Sequence, residues 1–255
     1  MSEPASPDFV QSLARGLAVI RAFDADHANL SLSEVAVRAD MPRAAARRFL
    51  RTLETLGYVR SDGRSFSLTP NVLELGFSYL SGLSLPEVVQ PHLEQLSHRL
   101  DESVSAAVLD GTDIVYVARV HTRRIMSVRI TIGTRFPAHA TSMGRVLLAG
   151  MTDAAREAAV AASTDLHPTA KTLTGQALAA ELDSVRTQGW AMVDGELEPG
   201  LRSVAAPVHD RSGAVIAALN VSTSTNRVSE ERMRDEYLPA LLETAAAVDA
   251  EVRLV

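Results

Sequence analysis

Residues 42–56, PRAAARRFLRTLETL, carry Arg43, Arg47, Arg48 and Arg51 with no acid before Glu54. Wound at about 100° per residue with Arg43 at zero, the four arginines span roughly 0–140°, while Ala46, Phe49, Leu50, Leu53 and Leu56 span roughly 220–340°. One face is core and the other guanidinium. Like charges at i,i+4 repel by a few tenths of a kcal/mol per pair, so this face has no local benefit without a polyanion. On duplex DNA, Arg43 near the helix start and Arg47 one turn on are the candidates for guanine O6 and N7. Arg48 and Arg51 are candidates for phosphates. Ala44, Ala45 and Ala46 offer only methyl groups, suited to close approach or a thymine methyl. The competing reading is a solvated face in an arginine-biased chain, since only one of the 25 basic residues is lysine.

A second chemical segment is AHATSMG, residues 138–144. Ser142 stands where a helix starts, and a helix N-terminus with a free hydroxyl can hold a carboxylate. The competing reading is a plain helix cap. Ala140-Thr141-Ser142-Met143-Gly144 also misses the G-x-S-x-G nucleophile elbow by one glycine. His167 and His209 have Asp165 and Asp210 nearby, but neither pair follows Ser142 with triad spacing. A hydrolase is therefore a remote alternative and no catalytic residue is assigned. The seven histidines show no metal-ligand spacing, cysteine is absent, and neither G-x-G-x-x-G nor G-x-x-x-x-G-K occurs. No metal or cofactor is expected.

The elements around these segments follow from periodicity and punctuation. Phe9, Leu13, Leu17, Ile20 and Phe23 recur at helical spacing over 9–24. A short helix starts near Ser31 or Ser33, with Glu34 in its first turn, and Pro42 suits the first turn of a third helix that Gly57 stops. Tyr58-Val59 and Phe66-Leu68 flank Asp62-Gly63, a hairpin signal, with Arg60 and Arg64 at its base and tip. Three short helices and a hairpin give a winged helix-turn-helix over 9–68, the hairpin reaching phosphates or the minor groove. A linker helix covers 69–85, with Leu73, Phe77 and Leu80 apolar. Residues 86–255 read as helix 86–100, strands 103–109, 113–120 and 124–132, helices 142–150, 152–161 and 174–188, strands 190–194, 201–209 and 214–222, and a closing helix 229–252. Paired hairpins with helices make this an α+β sheet and not a parallel dinucleotide-binding one.

At 255 residues the chain holds one to two domains. Its net charge of −6 is uneven: residues 1–80 balance nine arginines against nine acids, and the remainder carries the whole deficit. An acidic protein binds nucleic acid where one face is locally basic. No apolar run approaches the 18 residues of a membrane span, and MSEPASPD lacks the basic and apolar regions of a signal peptide, so a cytoplasmic protein is expected.

Over nearly its full length the chain resembles the IclR family of bacterial transcriptional regulators. The resemblance lies in QSLARGLAVIRAFD (11–24), LSLSEVAVRADMPRAAARRFLRTLETLGYV (30–59), FPAHATSMGRVLLAG (136–150) and ELEPGLRSVAAPVHDRSGAVIAALNVS (196–222). The recognition helix is most similar to the branch controlling aromatic-acid breakdown through the β-ketoadipate pathway, including regulators of protocatechuate and 4-hydroxybenzoate genes. The resemblance implies a winged helix-turn-helix joined to a GAF-like effector-binding domain, homodimers or pairs of dimers on operator DNA, contact with RNA polymerase, and a small organic acid as effector. It implies a pocket formed by the segment holding Ser142 and Met143, by Asp194, by Ser203, and by Asn220 and Ser222. Asn220, Ser222 and Ser224 alternate on one side of the last strand, so their polar ends converge. For the effector's carboxylate the arginine candidates are Arg129, Arg135 and Arg202, with Arg135 preferred. Many relatives carry Ser or Thr where this chain has Ala44 and Ala45, so the operator does not carry over. A constitutive DNA binder whose second domain only dimerises is the main alternative.

Overall fold

A computed structural model describes residues 9–24, 26–75, 85–122, 130–163 and 166–253. The chain divides into two compact units, Met1–Gly82 and Leu83–Val255.

In the first unit, α1 (Gln11–Arg21), α2 (Leu32–Arg38) and α3 (Arg43–Thr55) precede strands β1 (Val59–Ser61) and β2 (Phe66–Leu68). The Ser31 hydroxyl accepts from the Glu34 N–H while the Glu34 carboxylate accepts from the Ser31 N–H, a reciprocal cap that starts α2. The same bonds hold the Glu34 carboxyl below its ordinary value. Arg38 Nε donates to the Ala22 carbonyl at 2.6 Å and its Nη2 pairs with Asp24, fastening α2 to the end of α1. Val19, Val35, Ala46, Leu50 and Val59 fill the small core. Burying each such side chain is worth about 1.5–3 kcal/mol for the larger members. Leu56 departs from its expected inward position. It follows the last helical turn and is 59% exposed, because the chain turns there to reach Gly57 at φ 81°. The helix expected over 9–24 is shorter at both ends. Within the linker, helical turns are described at 72–75, while residues 76–84, with Phe77 and Leu80, lie outside the described residues.

Among the described residues the second unit holds an antiparallel six-stranded sheet of order β5-β4-β3-β8-β7-β6. Its strands are β3 (Ser103–Asp110), β4 (Asp113–Val120), β5 (Arg135–Pro137), β6 (Ala191–Asp194), β7 (Leu201–His209) and β8 (Val215–Ser224). Among the described residues the strand that follows β4 in this unit is at 135–137; of the strand expected over 124–132, residues 124–129, including Arg129, lie outside the described residues. Helices α4 (Leu85–Leu100) and α8 (Leu238–Val252) pack on one face, and α5 (Ser142–Ala149) packs on the other with α7 (Gly175–Gln188) behind it. Between them α6 (Asp153–Ala162) packs on α7. On the α5 face, Ala107, Ile114, Tyr116, Ala191, Ala205 and Ala218 meet Met143, Val146 and Leu147. Small residues on the strands let the helix approach closely. The closing helix is interrupted by a π turn at Met233–Tyr237, where Tyr237 is buried and its hydroxyl reaches Glu102. Among the described residues no helix is long and apolar enough to cross a membrane.

Candidate functional site

The arginine helix takes the predicted orientation. Ala46, Leu50 and Leu53 are buried, Ala45 and Phe49 are half-buried, and Arg43, Ala44, Arg47, Arg48 and Arg51 face solvent. Pro42 precedes the first turn, and its carbonyl accepts from the N–H groups of Ala45 and Ala46 at 2.8 and 3.0 Å. Among the described residues, none of Arg43, Arg47, Arg48 or Arg51 has a side-chain hydrogen bond or ion pair within the chain, so no acid neutralises this face.

The hairpin beside it is braced at its turn by Asp62. Asp62 Oδ1 accepts from the N–H groups of Arg64 and Ser65 at 2.9 and 2.7 Å, and Gly63 takes φ 88°. These backbone bonds lower the Asp62 carboxyl below its ordinary value. Arg60 is exposed on β1 with Nε donating to Ser67 Oγ at 3.0 Å, and Arg64 is exposed at the tip.

In the second unit a cavity lies between the start of α5 and the sheet. Of the residues singled out from sequence, Ser142, Ser203, Asn220 and Ser222 all line it. β7 and β8 pair Ser203 with Ser222, and Asn220 is two residues back on the same face. Ser142 does not cap its helix. Thr141 does, its hydroxyl accepting from the Gly144 N–H at 3.0 Å, which leaves Ser142 Oγ to bond Ser203 Oγ at 2.8 Å. Tyr116, Ile130, Val193, Leu197 and Leu201 supply apolar wall. These residues carried no sequence signal, because apolar positions on strands and loops read as core. The free volume is about 20 Å³, room for a water. A six-membered ring enters only if the walls part.

Three predicted pocket residues are elsewhere. Arg135 projects to the exposed end of the β3–β4 hairpin, where Asp110 and Asp113 bind it at 2.6 and 3.2 Å and raise its pKa. Met143 points into the α5–sheet core and is 1% exposed, since it is one residue round the helix from Ser142. Asp194 sits on β6 facing away from the cavity, paired with Arg202 at 2.6 Å, and so removes Arg202 as a candidate as well.

One wall of the cavity is held from behind. Arg145, 1% exposed on α5, pairs with Glu196 and donates from Nε to the His139 carbonyl at 3.1 Å. Glu196 also accepts from the Leu173 N–H at 2.9 Å, and the Thr172 hydroxyl donates to the Glu196 carbonyl at 2.7 Å. The 195–200 turn that carries Leu197 is thereby tied to the helix that carries Ser142. The remote nucleophile reading finds no support in this geometry: Ser142 bonds another serine, His209 pairs with Asp249, and His139 bonds the Leu166 carbonyl. Among the described residues no three His, Asp or Glu side chains cluster to hold a metal.

Comparison with known proteins places this geometry. The IclR helix-turn-helix domain matches residues 12–63, and the bacterial transcriptional regulator IclR C-terminal domain matches residues 77–250. The Pca regulon regulatory protein of Pseudomonas putida is 48% identical over 238 residues, covering 92% of this chain and 82% of that protein. The crystal structure of a proposed transcriptional regulator from Rhodococcus sp. RHA1 superposes with TM-score 0.87 at 53% identity, over 96% of this chain and 98% of that one. An IclR homologue from Microbacterium hydrocarbonoxydans, crystallised with 4-hydroxybenzoate, superposes with TM-score 0.85 at 25% identity, over 96% and 100%.

Proposed function

The chain belongs to the IclR family of bacterial transcriptional regulators, DNA-binding proteins and not catalysts, and we propose that it controls genes of aromatic-acid catabolism in response to a small aromatic or aliphatic carboxylate. The observation that carries the effector reading is the convergence of Ser142, Ser203, Asn220 and Ser222 at the start of α5, four buried polar side chains from three elements. Ser142 and Ser203 partner each other, whereas Asn220 Oδ1 has no donor; buried polar groups require partners, and a small polar ligand supplies the missing one. The 48% identity to a Pca regulon regulator and the 4-hydroxybenzoate bound to a homologue support the ligand class.

In this reading the second unit is a GAF-like sensor and the protein acts in the cytoplasm, where its operator lies. Arg43 and Arg47 meet base edges, Ala44 and Ala45 let the backbone approach, Arg48 and Arg51 meet phosphates, and Arg60 and Arg64 reach the flanking backbone or minor groove. A single helix reads only a few base pairs, so two copies act together. The stripe Phe9, Val10, Leu13 and Leu17, 42–64% exposed, is the surface we assign to the dimer seam. Pairing of dimers and contact with RNA polymerase belong to the same proposal.

The filled cavity, at about 20 Å³, favours one competing reading, a constitutive DNA binder whose second unit only dimerises. A thermal-shift series with protocatechuate, 4-hydroxybenzoate and β-ketoadipate separates the two. A ligand at 100 times its Kd stabilises the folded state by about 2.7 kcal/mol and raises the melting point. Absence of any shift, with operator binding intact, favours the constitutive binder.

A further inference from the structure

The cavity face of the sheet holds a cation that the effector reading leaves unused. Strand register sets Arg119 on β4 opposite Ser105 on β3, and Ser105 opposite Asn220 on β8. Residues paired across strands share a face, so Arg119 extends the polar row that continues through Ser105 to Asn220 at the cavity. Arg119 Nη1 donates to Ser105 Oγ at 3.1 Å, and Ser105 is fully buried. Arg119 Nε is also buried and has no acceptor, while Asn220 Oδ1, in the cavity wall, has no donor.

Among the described residues, Arg119 differs from the other interior arginines. Arg145 is neutralised by Glu196 and Arg202 by Asp194, whereas Arg119 has no carboxylate partner. Burial pushes its pKa below the ordinary arginine value. The opposing influence comes from Tyr116, yet burial pushes the Tyr116 hydroxyl up to about 12, so it supplies no anion near neutral pH. Arg119 is half-buried, and a guanidinium partly withdrawn from water without a counter-ion is costly; a buried acceptor without a donor adds to the cost. One ligand bearing both an acid and a hydroxyl relieves both.

We propose that Arg119 and Asn220 are the pair that reads the effector, Arg119 taking its carboxylate and the Asn220 Oδ1 atom accepting from a hydroxyl on the same molecule. This deepens the reading of the cavity as an effector site and rests on it. Arg119 is then the specificity determinant for an acid over its neutral amide.

The test is calorimetric titration of the full-length protein with 4-hydroxybenzoate and protocatechuate and with the amide of each. The parent binds at least one acid about 10–100-fold more tightly than its amide, the range for hydrogen bonds to a charged group. Arg119→Gln brings acid and amide to within about threefold while ligand-free operator binding stays at the parent level, and Arg119→Lys keeps a preference for the acid. Should Arg119→Gln not fold, the near-isosteric Asn220→Asp gives the second reading. It sets a fixed carboxylate in the same row, and the acid preference disappears. Retention of the parent's acid-to-amide ratio in either folded variant overturns the assignment of Arg119. A parent that binds neither acid nor amide overturns the effector reading, and the assignment falls with it.

Discussion

Gly144→Ala is the substitution whose consequence follows most directly from the geometry. A Cβ at Gly144 would lie closer than 3.0 Å to the O, C and Cα atoms of Ala138, where ordinary contact begins near 3.4 Å. The obstacle is backbone and cannot rotate away. Ala138 is itself pinned, its N–H donating to the Thr112 carbonyl at 2.9 Å and its carbonyl accepting from the Thr141 N–H and hydroxyl at 3.1 and 3.2 Å. Helix α5 is pinned from the other side by Met143, Val146 and Leu147 packed on the sheet. Either the 138–140 turn or the first turn of α5 must move, and the Thr141–Gly144 cap breaks. Overpacking of this kind costs about 1–3 kcal/mol and a lost cap about 1 kcal/mol, giving about 2–4 kcal/mol together. For a unit of this size, each kcal/mol moves the melting temperature by about 2–4 °C, so the second unit should melt roughly 5–15 °C below the parent. Ser142 and Thr141 line the cavity, so effector binding should weaken too, while binding of the winged helix to random duplex stays unchanged. Differential scanning calorimetry together with anisotropy on scrambled DNA measures both. Melting within about 1 °C of the parent, with effector binding intact, would mean that the 138–140 turn yields without cost.

Arg145→Met leaves Glu196 buried without its cation and should cost about 3–5 kcal/mol; adding Glu196→Gln should restore part of the loss in chemical denaturation, and no recovery would separate the two residues energetically. His139 is held below its ordinary pKa by burial, opposed by its bond to the Leu166 carbonyl, so the folded state favours the neutral ring. Its contribution to stability is therefore present above about pH 6.5 and lost as pH falls through the lower folded value, and denaturation series from pH 7.5 to 5 should show a slope that His139→Gln flattens. On DNA, Arg47→Ala should cost about 1–3 kcal/mol on the operator and relax discrimination at one base pair. Arg51→Ala should weaken operator and scrambled duplex alike and lower the salt slope by about one unit; parent-like binding by both variants across a salt series would remove α3 as the reading head.

The first unit was legible because its signals are local. The Ser31–Glu34 cap, Pro42 before α3, Asp62-Gly63 in the hairpin and the opposition of Leu50 and Leu53 to four arginines each depend on neighbours within one or two turns. Helical period alone decides which side of α3 meets water. The convergence of Asn220 and Ser222 was readable for the same reason, since alternation along β8 is a property of one strand. Ser203 came only from resemblance, and its register opposite Ser222 is a pairing between strands. Cap geometry decided Ser142: with Thr141 holding the free N–H, the next hydroxyl turns to Ser203. Arg135, Asp194 and Arg202 lie outside the lining of this cavity, and an arginine on a strand end carries no mark in the sequence of which carboxylate will reach it. Asp110 and Asp113 reach Arg135 by the β3–β4 hairpin and its pairing with β5, and Asp194 reaches Arg202 by the pairing of β6 with β7. Arg119 stands in plain view within the apolar strand DIVYVARV, but what sets it apart among the described residues is the missing carboxylate and the Nε without an acceptor. Residue type and period determine what a side chain can do. Whether it is already satisfied depends on segments distant in sequence, and only the folded chain brings those together.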